Sequence, residues 1–192
     1  MPRRASNPEL ASLSSIRSAV GELERQLDTG ELPPLLGFVG NAGLQMTSAN
    51  RASMDGLELT FAVNVLANHL FVRLLTGRFA PPSRIVITTS DTHFGDFRHN
   101  LGMVPATGLA RDAGPVQRFA MRRVMPLLTL TPLSVNARTA GEALAGAVIG
   151  PPPADSGAYL NLTVAERSSE ESYDQAREDE LWAAADILCR LT

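Results

Sequence analysis

The sequence predicts an α/β chain, a parallel sheet with flanking helices, and three observations carry that reading. Two short apolar runs, residues 35–40 and 84–90, lie on either side of a long apolar helical segment. Strand, helix and strand joined by short connections form a βαβ unit, which implies parallel pairing and a right-handed crossover. The third observation is size: 192 residues, 44% of them hydrophobic and 19% charged, suffice for one domain with its own core over 1–192.

Each element follows from local pattern. Leu13, Ile16, Val20, Leu23 and Leu27 recur at steps of three and four, with Arg17, Glu22, Glu24 and Arg25 on the other side. That spacing predicts an amphipathic helix over 12–27, closed by Gly30. After Pro33 and Pro34 the run Leu35-Leu36-Gly37-Phe38-Val39-Gly40 reads as a buried strand ending in a glycine turn, Asn41-Ala42-Gly43. Asp55 with Glu58 three residues on has the form of a capping box, and predicts a helix extending to Leu75 that is apolar on nearly every side. Gly77 ends it, Pro81-Pro82 predict a turn, and the β-branched run over 84–90 predicts the next strand.

Residues 91–115 hold His93, His99, several glycines and two prolines without clear periodicity. A helix is expected over 116–128, and an alanine-rich one over 134–149 with Ser134 as its cap, stopped by Pro151-Pro152-Pro153. A last strand is expected over 157–163. A final helix over 172–191 would place Leu181, Trp182, Ala185, Leu188 and Leu191 on one face.

Composition excludes several classes of function. All 17 basic residues are arginine, so no lysine is available for a Schiff base, a phosphate-loop lysine or a Tyr-x-x-x-Lys pair. The net charge of −3 and the scattered arginines argue against a protein that grips a nucleic-acid backbone. One cysteine, Cys189, excludes a disulfide framework and a C-x-x-C redox pair. His93 and His99 are not spaced as ligands with a carboxylate or thiol, so no metal is expected. The start has no apolar signal segment and no apolar run approaches the roughly 18 residues of a membrane span, so a cytoplasmic protein is expected. His69, in the apolar helix, reads as a packing histidine, and Glu170, Glu171, Asp174, Glu178, Asp179 and Glu180 read as a solvated face.

Several segments carry a family likeness in their order and spacing. They are Asn41-Ala42-Gly43, Asp55-Gly56-Leu57-Glu58-Leu59, Phe61-Ala62-Val63-Asn64-Val65-Leu66-Ala67, and Arg84 through His93. Together they resemble the short-chain dehydrogenase/reductases, in particular the retinol dehydrogenase and protochlorophyllide reductase-like branch. The stretch Ser168 to Asp174 followed by Leu181-Trp182 resembles that branch as well.

The resemblance implies a Rossmann-like parallel sheet binding NAD or NADP over the carboxyl ends of its strands. It implies that Asn41, Ala42 and Gly43 form the turn beside the adenosine ribose, with Gly40 in place of the family's first asparagine. Asn64 would stand at the helix asparagine that orders a proton-relay water, and Ser90 at the serine that hydrogen-bonds a substrate carbonyl. Glu9-Leu10 would take the place of the residues that contact adenine. The substrate class implied is a small-molecule carbonyl or alcohol.

The departures are equally specific. The family's glycine-rich phosphate loop, its first strand, first helix and second strand have no counterpart in the 40 residues before Asn41. No tyrosine lies between Ser90 and the alanine-rich helix; Tyr159 and Tyr173 come too late, and Tyr173 has Arg177 at its fourth position. The Rossmann-like sheet is therefore expected to be incomplete, a truncated oxidoreductase impaired in catalysis. The alternative is a non-catalytic interaction or scaffold protein, or a deletion-shortened homologue without independent activity. Loss of inner strands would leave exposed sheet edges through which copies could form a homo-oligomer.

Overall fold

The computed structural model describes residues 9–46, 51–90 and 137–191. The expected helix over 116–128, the Ser134 cap, His93 and His99 lie outside the described residues.

Helix α1 runs Leu13–Asp28, opened by the Ser12 hydroxyl accepting from the Ser15 amide. Leu13, Ile16 and Val20 are its buried stripe, as the spacing predicts. Strand β1, Leu35–Gly40, follows, but it is not the buried strand expected, since Leu36 and Val39 are exposed.

The next helix begins later than the sequence predicts. Residues 51–59 form a narrow reversal in which Ser53 donates to Leu57 and Leu59 donates to Arg51, turning through Gly56 at φ +78. Asp55 does not cap its own helix. Its Oδ2 accepts from the Leu13 amide at 2.8 Å and so closes the start of α1. Glu58 takes over as the cap of α2, accepting from the Thr60 and Phe61 amides. The predicted capping box thus splits into two caps on two helices, because residues 51–58 reverse before the helix starts.

Helix α2 spans 59–75 and is not uniformly α. Its turns are Leu59–Phe61, a π-helical turn Ala62–Leu66, and a regular stretch Ala67–Leu75, followed by a 3₁₀ turn Thr76–Arg78. Contrary to the expectation that no apolar stretch approaches span length, the helical segment Leu59–Arg78, 20 residues, is long and apolar enough to cross a membrane, because the polar residues on it are few and scattered. Here it is the central helix of the core, and Asn64, His69 and Arg73 on it bond to other elements.

Strand β2, Phe79–Ile87, starts five residues before the predicted strand and runs through Pro81-Pro82 where a turn was expected. Proline has no N–H to offer a ladder, and the pairing skips there: Leu35 pairs with Phe79, then Gly37 with Arg84. From Gly37 to Gly40 the parallel register is continuous, ending at Gly40 opposite Ile87. The β1–β2 pair is the parallel sheet among the described residues.

Helix α3, Ala137–Ile149, lies on this pair through Arg84, whose guanidinium donates to the Ala147 and Gly150 carbonyls at 2.9 and 2.6 Å. Close approach is allowed by Gly37, where a Cβ would lie 2.8 Å from the Arg84 carbonyl oxygen and 3.1 Å from Val148 Cγ1. Residues 157–163 do not extend the sheet. Tyr159–Asn161, β3, pairs antiparallel with Val164–Glu166, β4, as a separate hairpin. Last comes α4, Gln175–Leu188, capped by Asp174.

One core joins these pieces. Leu13, Ile16 and Val20 of α1 meet Leu66, Ala67, Leu70 and Leu75 of α2, with Ala185 and Cys189 from the end of α4. The predicted apolar face of α4 is only partly used: Leu181 and Trp182 stay half exposed, and Leu188 is also at the surface.

Candidate functional site

The candidate residues gather where β1 and β2 end. Hydrogen bonding continues one step past the strands, with Thr88 donating its amide to the Gly40 carbonyl at 3.0 Å. The Thr88 hydroxyl then donates to Asn41 Oδ1, also at 3.0 Å. Asn41 and Ala42 are exposed, and Ser90 lies two residues beyond Thr88 at the same exposed end.

Gly40 fits here for a local reason. A Cβ at this position would come against the side-chain ends of Asn68 and Ile87, so glycine lets β1 lie close to α2 and β2 without either side chain shifting.

Asn64 holds the other side. Its Oδ1 accepts from the Leu44 amide at 2.9 Å, and its Nδ2 donates to the Leu44 carbonyl at 2.8 Å. Both ends of the side-chain amide grip one backbone residue, the one that follows Gly43. The π-helical turn puts Asn64 there: its extra residue per turn breaks the usual ladder and re-aims the side chains within it. In turn the Asn64 carbonyl is not left open, since Asn68 Nδ2 donates to it at 2.8 Å. The side chain expected to help order a relay water is thus committed to clamping the 41–44 segment.

The structure therefore unites Asn41, Ala42, Gly43 and Asn64 in one arrangement, with Ser90 three residues past the end of β2 and not within the strand as expected. Sequence reasoning missed Thr88, although a hydroxyl two residues before a strand-end serine is a readable signal. It also missed that Leu44 is the partner of Asn64, which no side-chain pattern reports because the contact is to backbone.

A dinucleotide also needs a seat for its pyrophosphate, commonly the free amides of a helix N-terminus. The starts of α1, α2 and α4 do not offer one. Asp55 occupies α1, Glu58 occupies α2, and the Asp174 carboxylate accepts from the Ala176 and Arg177 amides of α4. The Glu58 carboxyl is held below its ordinary value by the Phe61 and Thr60 amides, so it stays ionised and would repel a phosphate. The starts of these three helices are thus taken by carboxylates and leave no free amides for a phosphate. No group of three or more His, Cys, Asp or Glu placed to hold a metal occurs among the described residues either.

Comparison with known proteins agrees with the family likeness. A family profile, the AcuH dehydrogenase domain, matches residues 107–189. A polyprenol dehydrogenase from Danio rerio is 39% identical over 93 residues, 45% of this chain and 27% of that protein. The short-chain dehydrogenase iccH from Talaromyces variabilis is 31% identical over 67 residues, 35% of this chain and 18% of that protein. The likeness is to short-chain dehydrogenases. The dehydrogenase-like chain spans well under a third of the length of either relative. Its mixed architecture, a parallel strand pair with a connecting helix, is compatible with part of a Rossmann-like dehydrogenase fold.

Proposed function

We propose that this chain is a dehydrogenase-like oxidoreductase homologue, of the retinol dehydrogenase-like branch, that keeps a ribose-contact turn for NAD or NADP but does not transfer hydride through its own residues. The observation that carries the reading is the Asn64 clamp on Leu44. It holds the 41–43 turn, exposed, at the carboxyl end of β1 and beside the end of β2, where a nucleotide lies in open α/β sheets. When bound, NAD or NADP supplies the hydride; the chain's own residues orient the ribose and present Ser90 toward a small carbonyl or alcohol.

Proton transfer is the step they do not support. It requires an acid of suitable pKa beside the substrate oxygen, and the family's solution, a tyrosine with a lysine four residues on, is absent because the sequence holds no lysine. Tyr173 does not substitute: its hydroxyl accepts from the Ser168 amide at 2.9 Å, and its ring lies under Arg167 in a surface turn. The reading places the chain in the cytoplasm, with a small-molecule ligand and without a nucleic-acid partner.

Calorimetric titration with NADPH and NADH tests the binding half. The expected result is saturable binding only in the millimolar range, lost in Asn41→Ala. Absence of binding at millimolar cofactor overturns the ribose contact. Micromolar binding overturns the account of blocked phosphate seats.

A second reading, a non-catalytic interaction protein, is favoured by one observation. Leu36, Val39, Ile85 and Ile87 on the strand pair are all exposed, an apolar sheet surface of the sort that promotes self-association. Sedimentation of the purified chain separates the two, since the second reading requires a homo-oligomer.

A further inference from the structure

Helix α4 is fastened in an unusual way. Of residues 175–191, only Ala185 and Cys189 are buried, while Leu181, Trp182, Ile187 and Leu188 face out. Two small side chains remove little apolar area from water, so hydrophobic burial alone holds this helix weakly. Polar contacts supply the rest. Asp186 Oδ1 receives His69 Nε2 at 2.7 Å and Arg73 Nε at 2.9 Å, both from α2. Trp182 stacks edge-on against the His69 ring with centroids 4.6 Å apart, and Arg73 lies 5.8 Å from the Trp182 ring centre. At the far end Arg17 of α1 donates to the Cys189 and Arg190 carbonyls at 2.7 and 3.1 Å.

The Cys189 thiol, fully buried, lies beneath this fastening with its Sγ 3.6 Å from the Leu66 carbonyl. Leu66 closes the π-helical turn that carries Asn64. Burial pushes the thiol pKa up, which keeps it protonated and able to donate.

We infer that α4 is a releasable strap, latched onto α2 by the Asp186–His69–Arg73 cluster, whose opening uncovers Cys189 and withdraws a contact from the π-helical turn without unfolding the core of α1 and α2. Elements with few buried apolar contacts open locally at lower cost than the whole fold, and the burial pattern of α4 meets that condition. The latch is selective because loss of the Asp186 carboxylate leaves a buried imidazole without its partner.

Cys189 is the chain's single cysteine, so its reaction with a thiol reagent such as DTNB reports opening directly. The labelling rate of the full chain is measured against urea below the global transition, beside the unfolding curve. The expected result is a urea dependence clearly shallower than that of global unfolding, because a local opening exposes less surface. Asp186→Asn is expected to speed labelling by roughly tenfold or more, and Arg73→Gln, at a half-exposed position, by about threefold, on the scale of buried against exposed ion pairs. Labelling of the wild-type chain that tracks global unfolding overturns the strap. So does labelling that is unchanged in Arg73→Gln and, where it folds, in Asp186→Asn.

Discussion

The two described halves of this molecule do different work. Residues 9–90 hold nine of the twelve buried hydrophobic residues among those described, the parallel strand pair, and every candidate cofactor or substrate residue. Residues 137–191 contribute Ala147, Ala185 and Cys189 to burial and are otherwise mostly surface, yet the dehydrogenase-domain match falls at 107–189. The profile match thus falls outside the half that carries most of the described core, whereas the segments that resemble the short-chain dehydrogenases in sequence, at 41–43, 55–67 and 84–90, fall inside it.

The largest expected effect follows from that asymmetry. Leu70→Ala, at a fully buried position in the core shared by α1, α2 and the end of α4, should cost about 2–5 kcal/mol, measured by urea unfolding. Ile187→Ala on the exposed side of α4 should change stability by less than about 0.5 kcal/mol. Comparable losses at both sites would remove the contrast between the halves.

Next in size is Gly37→Ala, which brings a Cβ to 2.8 Å from the Arg84 carbonyl oxygen and against Val148. Backbone cannot move aside as a flexible side chain can, so a loss of about 1–3 kcal/mol is expected, with α3 displaced from the strand pair. Protease sensitivity within 137–149 should rise with it.

Asn64→Ala should cost about 1–2 kcal/mol, as two backbone groups of Leu44 lose their partners. The specific readout is faster hydrogen exchange at the Leu44 amide with little change at Ile16 or Val20. Uniformly faster exchange would show that Asn64 supports the core generally and does not clamp the turn.

A smaller effect is expected with acid. Glu58 is held below its ordinary value of 4.5 by the Phe61 and Thr60 amides, and Asp186 below 3.8 by His69 and then Arg73. Depressed carboxyl groups add stability that is present above their unfolded values and disappears as pH falls through the lower folded ones. The loss should begin only below about pH 4.5, and Glu58→Gln should flatten part of it. A loss centred near pH 6 would contradict these assignments.

Much of the first half was legible in sequence. The stripe from Leu13 to Val20 appears as its periodicity predicts, and the run Leu35–Gly40 forms the expected strand but not a buried one, since an apolar run reports strand propensity and not what covers it. Asp55 was misread because a capping-box spacing says which residues can cap, not which helix they reach; Asp55 serves α1, 42 residues away. The π-helical turn left no mark in the apolar pattern, so the aim of Asn64 at Leu44 could not be read from spacing. The second half was less legible: the apolar face of α4 reads as core, while the molecule buries only Ala185 from it, together with Cys189 just past the helix.

The central claim of the proposed function is that the chain keeps a dehydrogenase-like turn and Ser90 without the tyrosine–lysine pair that moves the proton. Oxidation of NADPH and NADH by the purified chain, followed by nicotinamide absorbance with a panel of aldehydes and ketones, tests it most directly. The account predicts no turnover above the buffer rate for any pair. Saturable oxidation that Ser90→Ala abolishes would contradict it.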